Sequence, residues 1–237
     1  MLLLAGAAVF APLRASAYRP FDSTDADVAS PQDLEVELGY FNLDHNSGET
    51  GIATPKLILN YGALPDWEII GEFQVDEVPQ LAITDPGVFL KGVLREGILQ
   101  QREGPSIALE AGLLLPSSVE DERNTGFEAI GIVSDKVDPF LLHFNLGGGI
   151  DRASATPFVL WGVIGEFELG AALRLVGEIN GESLENERPN ASALLGAIWQ
   201  LPASTTSLDI GVRRGISNAA DWRFTIGVTF DVSAPFP

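Results

Sequence analysis

The segment that decides the fold is residues 222–230, which read Trp-Arg-Phe-Thr-Ile-Gly-Val-Thr-Phe. Large apolar side chains stand at every second position, and the positions between them carry arginine, threonine or glycine. Successive side chains of a β-strand point to opposite faces, so the segment predicts a strand with one apolar and one polar face. A strand of this kind can cross a bilayer, because a tilted strand needs only about 9–11 residues to do so.

The same alternation recurs along most of the chain. It predicts twelve strands, at 33–43, 52–62, 67–75, 87–95, 104–115, 125–134, 139–150, 157–167, 172–183, 191–201, 206–216 and 222–232. An even number of strands near ten residues long, joined by alternating tight and longer connections, is typical of a transmembrane barrel. Closure is required in lipid, since an open edge would leave backbone groups unpaired. The sequence therefore predicts an all-β fold, a membrane-spanning antiparallel up-and-down β-barrel of about 12 strands.

The start of the chain reads as an export signal. Residues 1–13 carry no charged side chain, and Ala15-Ser16-Ala17 provides a small-residue cleavage site. The predicted organisation is a cleaved signal peptide at 1–17, a periplasmic N-terminal segment at 18–32, the barrel at 33–232 and a C-terminal tail at 233–237. The segment at 18–32 either folds up into the lumen as a plug or trails from the barrel.

Composition narrows the class of protein further. The chain has 33 acidic and 14 basic residues, a formal charge of −19, no cysteine and 46% hydrophobic residues. The charge argues against a nucleic-acid partner, and the lack of cysteine excludes disulfides and thiolate metal sites. A barrel separates the acidic charge from the apolar residues, with apolar side chains toward lipid and acidic ones in the lumen and loops.

We expect a location in the outer membrane of a Gram-negative bacterium. The expected partners are outer-membrane lipid, a small-molecule solute and the barrel insertion machinery, with the oligomeric state left open.

Strand parity identifies candidate lumen-lining residues. Two interpretations stay open for them. They can form a charged pore lining that favours cations or polar solutes, or they can pair with one another and fill the lumen. The candidates are Glu35, Glu37, Lys56, Glu68, Glu72, Lys91, Glu110, Glu128, His143, Asn145, Arg174, Glu178, Arg213 and Arg223.

Catalytic chemistry has little support in the sequence. Some twelve-strand outer-membrane barrels are phospholipases, which need a histidine beside a serine nucleophile. His143 is predicted in mid-strand, and no nucleophile motif surrounds Ser106 or Ser134. We therefore predict no enzyme activity, no catalytic residue, no metal site and no cofactor. Besides a channel, the alternatives are a closed structural barrel, a barrel-embedded lipid hydrolase and a soluble secreted β-sandwich binding module.

Several stretches resemble one family of outer-membrane proteins. They are Arg19-Pro20-Phe21 leading to Asp25-Ala26, the segment 104–116, Gly211 to Gly215, and 219–230. These are similar to the start, fifth strand, penultimate strand and last strand of barrels labelled as transporters of the MetA pathway of phenol degradation. The resemblance implies an outer-membrane barrel that transports small solutes, with hydrophobic or aromatic ones suggested by the family's label. It implies no catalytic residues.

Overall fold

The computed structural model describes residues 19–46, 48–78, 80–185, 187–219 and 221–233. The predicted signal peptide and the end of the predicted tail lie outside the described residues. Twelve antiparallel strands form one sheet that closes where β1 pairs with β12. The predicted twelve-strand antiparallel barrel is confirmed. The strands are β1 Asp33–Asn46, β2 Glu49–Leu64, β3 Trp67–Val78, β4 Ala82–Arg95, β5 Ser106–Leu114, β6 Gly126–Val137, β7 Phe140–Ile150, β8 Pro157–Glu168, β9 Leu173–Leu184, β10 Asn190–Gln200, β11 Ser207–Ser217 and β12 Trp222–Ser233.

Apolar side chains cover the outside of the barrel. Leu146 on β7 is 66% exposed and Leu195 on β10 is 76% exposed, and similar residues recur on every strand. A continuous apolar surface around a whole molecule far exceeds the patches that a soluble protein tolerates. This surface is therefore the lipid-facing belt of a membrane barrel. The soluble β-sandwich alternative is wrong, because the sheet closes on itself.

The first hairpin is longer than the alternation predicted. The β1–β2 ladder continues through Asp44↔Gly51 and His45↔Thr50 to Asn46↔Glu49, so the loop predicted at 44–51 is a tight connection. Backbone pairing does not require apolar side chains, and it extends beyond the bilayer core into water. Within the described ranges, the only helix is the short 3₁₀ helix Ile98–Gln100, and no helix is long and apolar enough to cross a membrane.

The two ends of the barrel differ. The first residue of β1 and the last of β12 lie at one end, which we call the terminal end. At the opposite end, the loop end, lie the connections at 47–48, 79–81, 115–125, 151–156, 185–189 and 218–221. In barrels of this type the shorter turns face the periplasm. Both ends of this barrel carry connections of mixed length, such as 47–48 at the loop end and 96–105 at the terminal end, so a periplasmic terminal end stays a prediction from the sequence.

The barrel interior contains apolar clusters as well as polar residues. Ile58, Ile70 and Phe89 pack together inside, on β2, β3 and β4. Ile164 on β8 and Leu194 on β10 belong to a second interior cluster. Parity alone placed apolar residues toward lipid, but strands β4, β8 and β10 are apolar on both faces and leave their orientation weakly specified. The interior is thus a partly filled core.

Candidate functional site: a lumen occupied by the N-terminal segment

Residues 19–32, which we call the lumenal segment, lie inside the barrel up to Ala29, and residues 30–32 are exposed where the segment leaves it. They contact or cluster with residues of all twelve strands, from Gly39 on β1 to Thr225 on β12. A segment of this length can approach every strand of a closed barrel only from within. The predicted signal cleavage would leave this segment near the new N-terminus.

The lumenal segment begins with a buried arginine. The Nε of Arg19 lies 3.3 Å from Asp209 Oδ2, and its Nη2 donates to Thr225 Oγ1 at 2.6 Å. The guanidinium lies against Gly39 and Gly227, which are paired across β1 and β12. A Cβ built on Gly227 would stand 2.2 Å from Arg19 Nε. The glycine pair therefore leaves the space that the guanidinium fills.

An apolar and a charged anchor follow. Phe21 packs in the cluster with Ile164 and Leu194. The backbone N–H groups of Asp22 and Ser23 donate to the Glu178 carboxylate at 3.1 and 2.7 Å. A carboxylate that accepts two backbone N–H groups makes strong charge-assisted hydrogen bonds. Glu178 therefore holds the backbone of the lumenal segment directly.

The middle of the segment is fixed by an amide and an ammonium group. Thr24 N–H donates to Asn145 Oδ1 at 3.2 Å, and Asn145 Nδ2 donates back to Thr24 C=O at 2.8 Å. Lys91 is completely buried, with Nζ 3.5 Å from Asp25 and 3.7 Å from Glu68. A buried ammonium needs such partners, because its isolated burial costs far more than a hydrogen bond returns.

A serine–histidine–glutamate row supports the next residue. His143 Nδ1 lies 2.8 Å from Ser134 Oγ, and its Nε2 lies 3.3 Å from Glu166 Oε1. These residue types also occur together in hydrolases. Here Ser134 has no exposed surface, and its Oγ accepts the Ala26 N–H at 3.0 Å. The row therefore serves as an anchor for the lumenal segment, a role that sequence reasoning did not assign to Ser134.

The last residues of the lumenal segment contact the connection between β4 and β5 and a glycine of β2. Gln100, in the connection between β4 and β5, donates through Nε2 to Ala26 C=O at 3.1 Å and to Asp27 Oδ1 at 3.0 Å. The Ala29 N–H donates to Glu68 Oε2 at 2.7 Å. A Cβ on Gly62 would stand 2.0 Å from the Ser30 carbonyl oxygen. The segment thus leaves the lumen through a gap that only glycine provides.

The candidate lumen-lining residues fall into two groups by burial. Most of them contact the lumenal segment or one another, and their lining of a conducting path stays a prediction. Buried are Glu37, Glu68, Lys91, His143, Asn145, Glu178 and Arg213. Half-buried are Glu35, Lys56, Glu72, Glu110, Glu128, Arg174 and Arg223.

The three arginines of the candidate set all have carboxylate partners. Arg174 Nη1 lies 2.7 Å from Glu166, and Arg223 Nε lies 2.7 Å from Asp44. Arg213 pairs with Glu178 on the wall and with Asp22 on the lumenal segment. On the other side of the lumen, Asn60 bridges Glu35 and Glu37. Pairing between lumenal residues is therefore extensive.

A cavity of about 380 Å³ lies above the lumenal segment, and we call it the vestibule. Its floor is Asp22 and Ser23, and its walls include Glu128, Glu182 and Arg223. These three wall residues stand near the loop-end termini of β6, β9 and β12, and Ala219 of the 218–221 connection also borders the space. The vestibule therefore lies on the loop-end side of the lumenal segment.

Asp22 is ionised on the floor of the vestibule. Burial alone would raise the pKa of Asp22, but Arg213, Arg223, Lys56 and the Asn180 amide together lower it to about 2. The carboxylate therefore keeps its charge, and its pairing with both arginines, across the physiological pH range.

No family model matches the sequence, and no curated protein matches it. The COG4313 outer membrane channel from Pseudomonas putida F1 has a similar structure, with a TM-score of 0.61 at 8% identity, over 87% of this chain and 97% of that one. The two chains therefore share a fold, a closed β-barrel of the outer-membrane type. The outer membrane channel DcaP of Acinetobacter baumannii also matches, over 84% of this chain and 95% of that one, with a TM-score of 0.41 at 11% identity.

This barrel, with its lipid-facing belt, lies in the bacterial outer membrane. The likeness concerns the fold alone, and membership of the phenol-pathway family stays a prediction.

Proposed function

We propose that the chain is an outer-membrane channel for small solutes in which the lumenal segment acts as the gate. The observation that carries this proposal is the way the segment is held. Its backbone N–H groups donate to side chains of the wall, among them Glu178, Asn145 and Ser134. Such contacts can be exchanged for water or for a solute without unfolding a strand.

The lining bears on the kind of solute. The hydrophobic or aromatic solute suggested by the family resemblance would have to pass a vestibule lined by carboxylates, amides and guanidinium groups. Desolvating those groups against an apolar molecule costs free energy without returning hydrogen bonds. The vestibule therefore favours small polar solutes. Transport of this kind is passive and requires no catalytic residue.

Liposome swelling tests the proposal. Wild-type protein should admit a small sugar slowly, and a variant lacking residues 19–29 should admit it several-fold faster. Both proteins must show the heat-dependent gel shift of a folded barrel, so that permeability is compared between folded samples. Equal swelling of the two proteins would show that the segment is not a gate.

A closed structural barrel is the second candidate, because the lumen holds a segment with many satisfied contacts. It predicts that wild-type liposomes swell no faster than empty ones, even though the deletion variant is permeable. Lipid hydrolysis has weaker support, since Ser134 has no exposed surface beneath the lumenal segment.

A further inference from the structure

The wall of the vestibule surrounds a carboxylate that belongs to the lumenal segment, the gate proposed above. Asp22 Oδ2 lies 3.2 Å from Arg213 Nε and 3.3 Å from Asn180 Nδ2. Its Oδ1 lies 3.7 Å from Arg223 Nη1. The three donors come from β11, β9 and β12, whereas the acceptor comes from the lumenal segment.

Two arginines and an amide that converge on one carboxylate have the geometry with which proteins bind free carboxylates. Asp22 is also reachable, because its side chain is 37% exposed at the vestibule floor. The donors themselves are anchored independently. Arg213 keeps Glu178 and Arg223 keeps Asp44 as partners when Asp22 is absent. The positions of the two arginines therefore do not depend on Asp22 alone.

The vestibule carries the opposite charge on other walls. Glu128 of β6 and Glu182 of β9 both face it. Among the described residues, neither carboxylate makes a hydrogen bond or an ion pair with a side chain. In the ring of strands, β6 stands opposite β12. A positive group entering the vestibule would thus meet Glu128 across the lumen from Arg223.

We propose that the vestibule binds a small amphoteric solute that carries one carboxylate and one ammonium group. Its carboxylate takes the place of Asp22 at Arg213, Arg223 and Asn180, and its ammonium group pairs with Glu128 and Glu182. The exchange of one carboxylate for another leaves the charge around the arginines unchanged. The ammonium group places a cation beside the two glutamates, whose carboxylates make no ion pair among the described residues. A simple anion would gain the first interaction and meet repulsion from the glutamates.

Displacement of Asp22 also loosens the lumenal segment at its start. In this respect the inference rests on the proposed gate, and it names the class of solute that the gate would admit. Binding itself can be measured without any permeation.

Four probes of similar size separate the contributions: γ-aminobutyrate, butyrate, butylamine and butyramide. Isothermal titration at pH 7 into the full chain in detergent should show γ-aminobutyrate binding at least tenfold more tightly than each of the others. The substitution Glu128→Gln should weaken γ-aminobutyrate binding several-fold, with Glu182 remaining as a partner of the ammonium group, and should leave butyrate binding no weaker. Equal affinities for γ-aminobutyrate and butyrate, or no binding of γ-aminobutyrate, would overturn the proposal.

A gain of affinity provides the sharper test. The substitution Asp22→Asn removes the competing carboxylate and should strengthen both γ-aminobutyrate and butyrate binding several-fold. The control Asp138→Asn lies in an exposed turn at the terminal end, where the Asp138 side chain is 84% exposed, and should change neither affinity. A loss of affinity in Asp22→Asn would show that Asp22 supports the site instead of occupying it. Tight binding without liposome swelling would refute the channel and keep the binding site.

Discussion

At the scale of residues, missing side chains are as important as present ones. Gly62 faces the backbone of the lumenal segment, and an ideal Cβ there would stand 2.0 Å from Ser30 O and 2.6 Å from Ala29 O. A flexible side chain could rotate away from such a clash, but backbone atoms cannot. Gly71, on the neighbouring strand β3, has no atom within 4 Å of its ideal Cβ. The two glycines therefore form a matched pair for testing whether the segment can remain in the lumen.

We predict that Gly62→Ala displaces the lumenal segment and that Gly71→Ala does not. The chain contains no cysteine, so a single Ala26→Cys thiol can report on the segment. Ala26 has no exposed surface, and its thiol should react with a maleimide only when the segment leaves the lumen. At pH 7, Gly62→Ala should raise the labelling rate at least tenfold over the Ala26→Cys parent. Unchanged labelling would mean that the segment tolerates the added methyl group by a local shift.

At the scale of elements, the lumenal segment contacts the connection between β4 and β5 through a carboxyl group that titrates, Asp27. Burial and then the neighbouring Asp25 raise the pKa of Asp27 to about 6, although Gln100 donates to its carboxylate. A raised carboxyl pKa means that Asp27 binds a proton more tightly when the lumenal segment lies in the lumen (the seated state) than when the segment has left it (the released state). The seated state is therefore favoured at low pH and loses stability as pH rises from about 4 to about 6. The difference amounts to at most about 3 kcal/mol.

We predict that channel openings become more frequent between pH 4 and pH 6 and change little above that range. Planar-bilayer recordings of the full chain would measure the open probability across this interval. The Asp27→Asn variant lacks the titrating group and should give a profile with a weaker rise. An identical pH profile in the two proteins would assign the effect to other groups.

At the scale of the whole molecule, closure separates the acidic and apolar properties of the chain. Lipid-facing side chains form the outer belt, and much of the net charge of −19 lies in the lumen and the loops. Glu120 and Asp121 are exposed in the 115–125 connection at the loop end. A mouth with an excess of acidic groups concentrates cations, and salt screens the effect over a Debye length of about 10 Å at 0.1 M.

We predict that the variant lacking residues 19–29 selects cations over anions, and more strongly at low than at high ionic strength. Reversal potentials in potassium chloride gradients would measure the permeability ratio. Joint substitution of Glu120→Gln and Asp121→Asn should reduce the ratio at low salt and have little effect at high salt. A ratio that does not depend on salt would place the selectivity inside the lumen, at residues such as Glu128.

The sequence by itself determined the strands, their number and the outward face of most of them. Alternation in segments such as 222–230 is a local property, and each strand obeys it whatever its neighbours are. The parity of strands such as β7 and β9 therefore placed His143, Asn145 and Glu178 on the inner face from the sequence alone.

The tertiary structure decided what occupies the lumen. Arg19, Asp22 and Asp25 precede the first strand, carry no periodic signal and find their partners up to 206 residues away, as Arg19 does at Thr225. Alternation cannot orient a strand that is apolar on both faces. The packing of Phe21 against Ile164 and Leu194 could therefore not be predicted from the sequence. Only closure of the sheet brings all twelve strands around one segment. Local pattern sets which way a side chain points, and closure sets what it meets there.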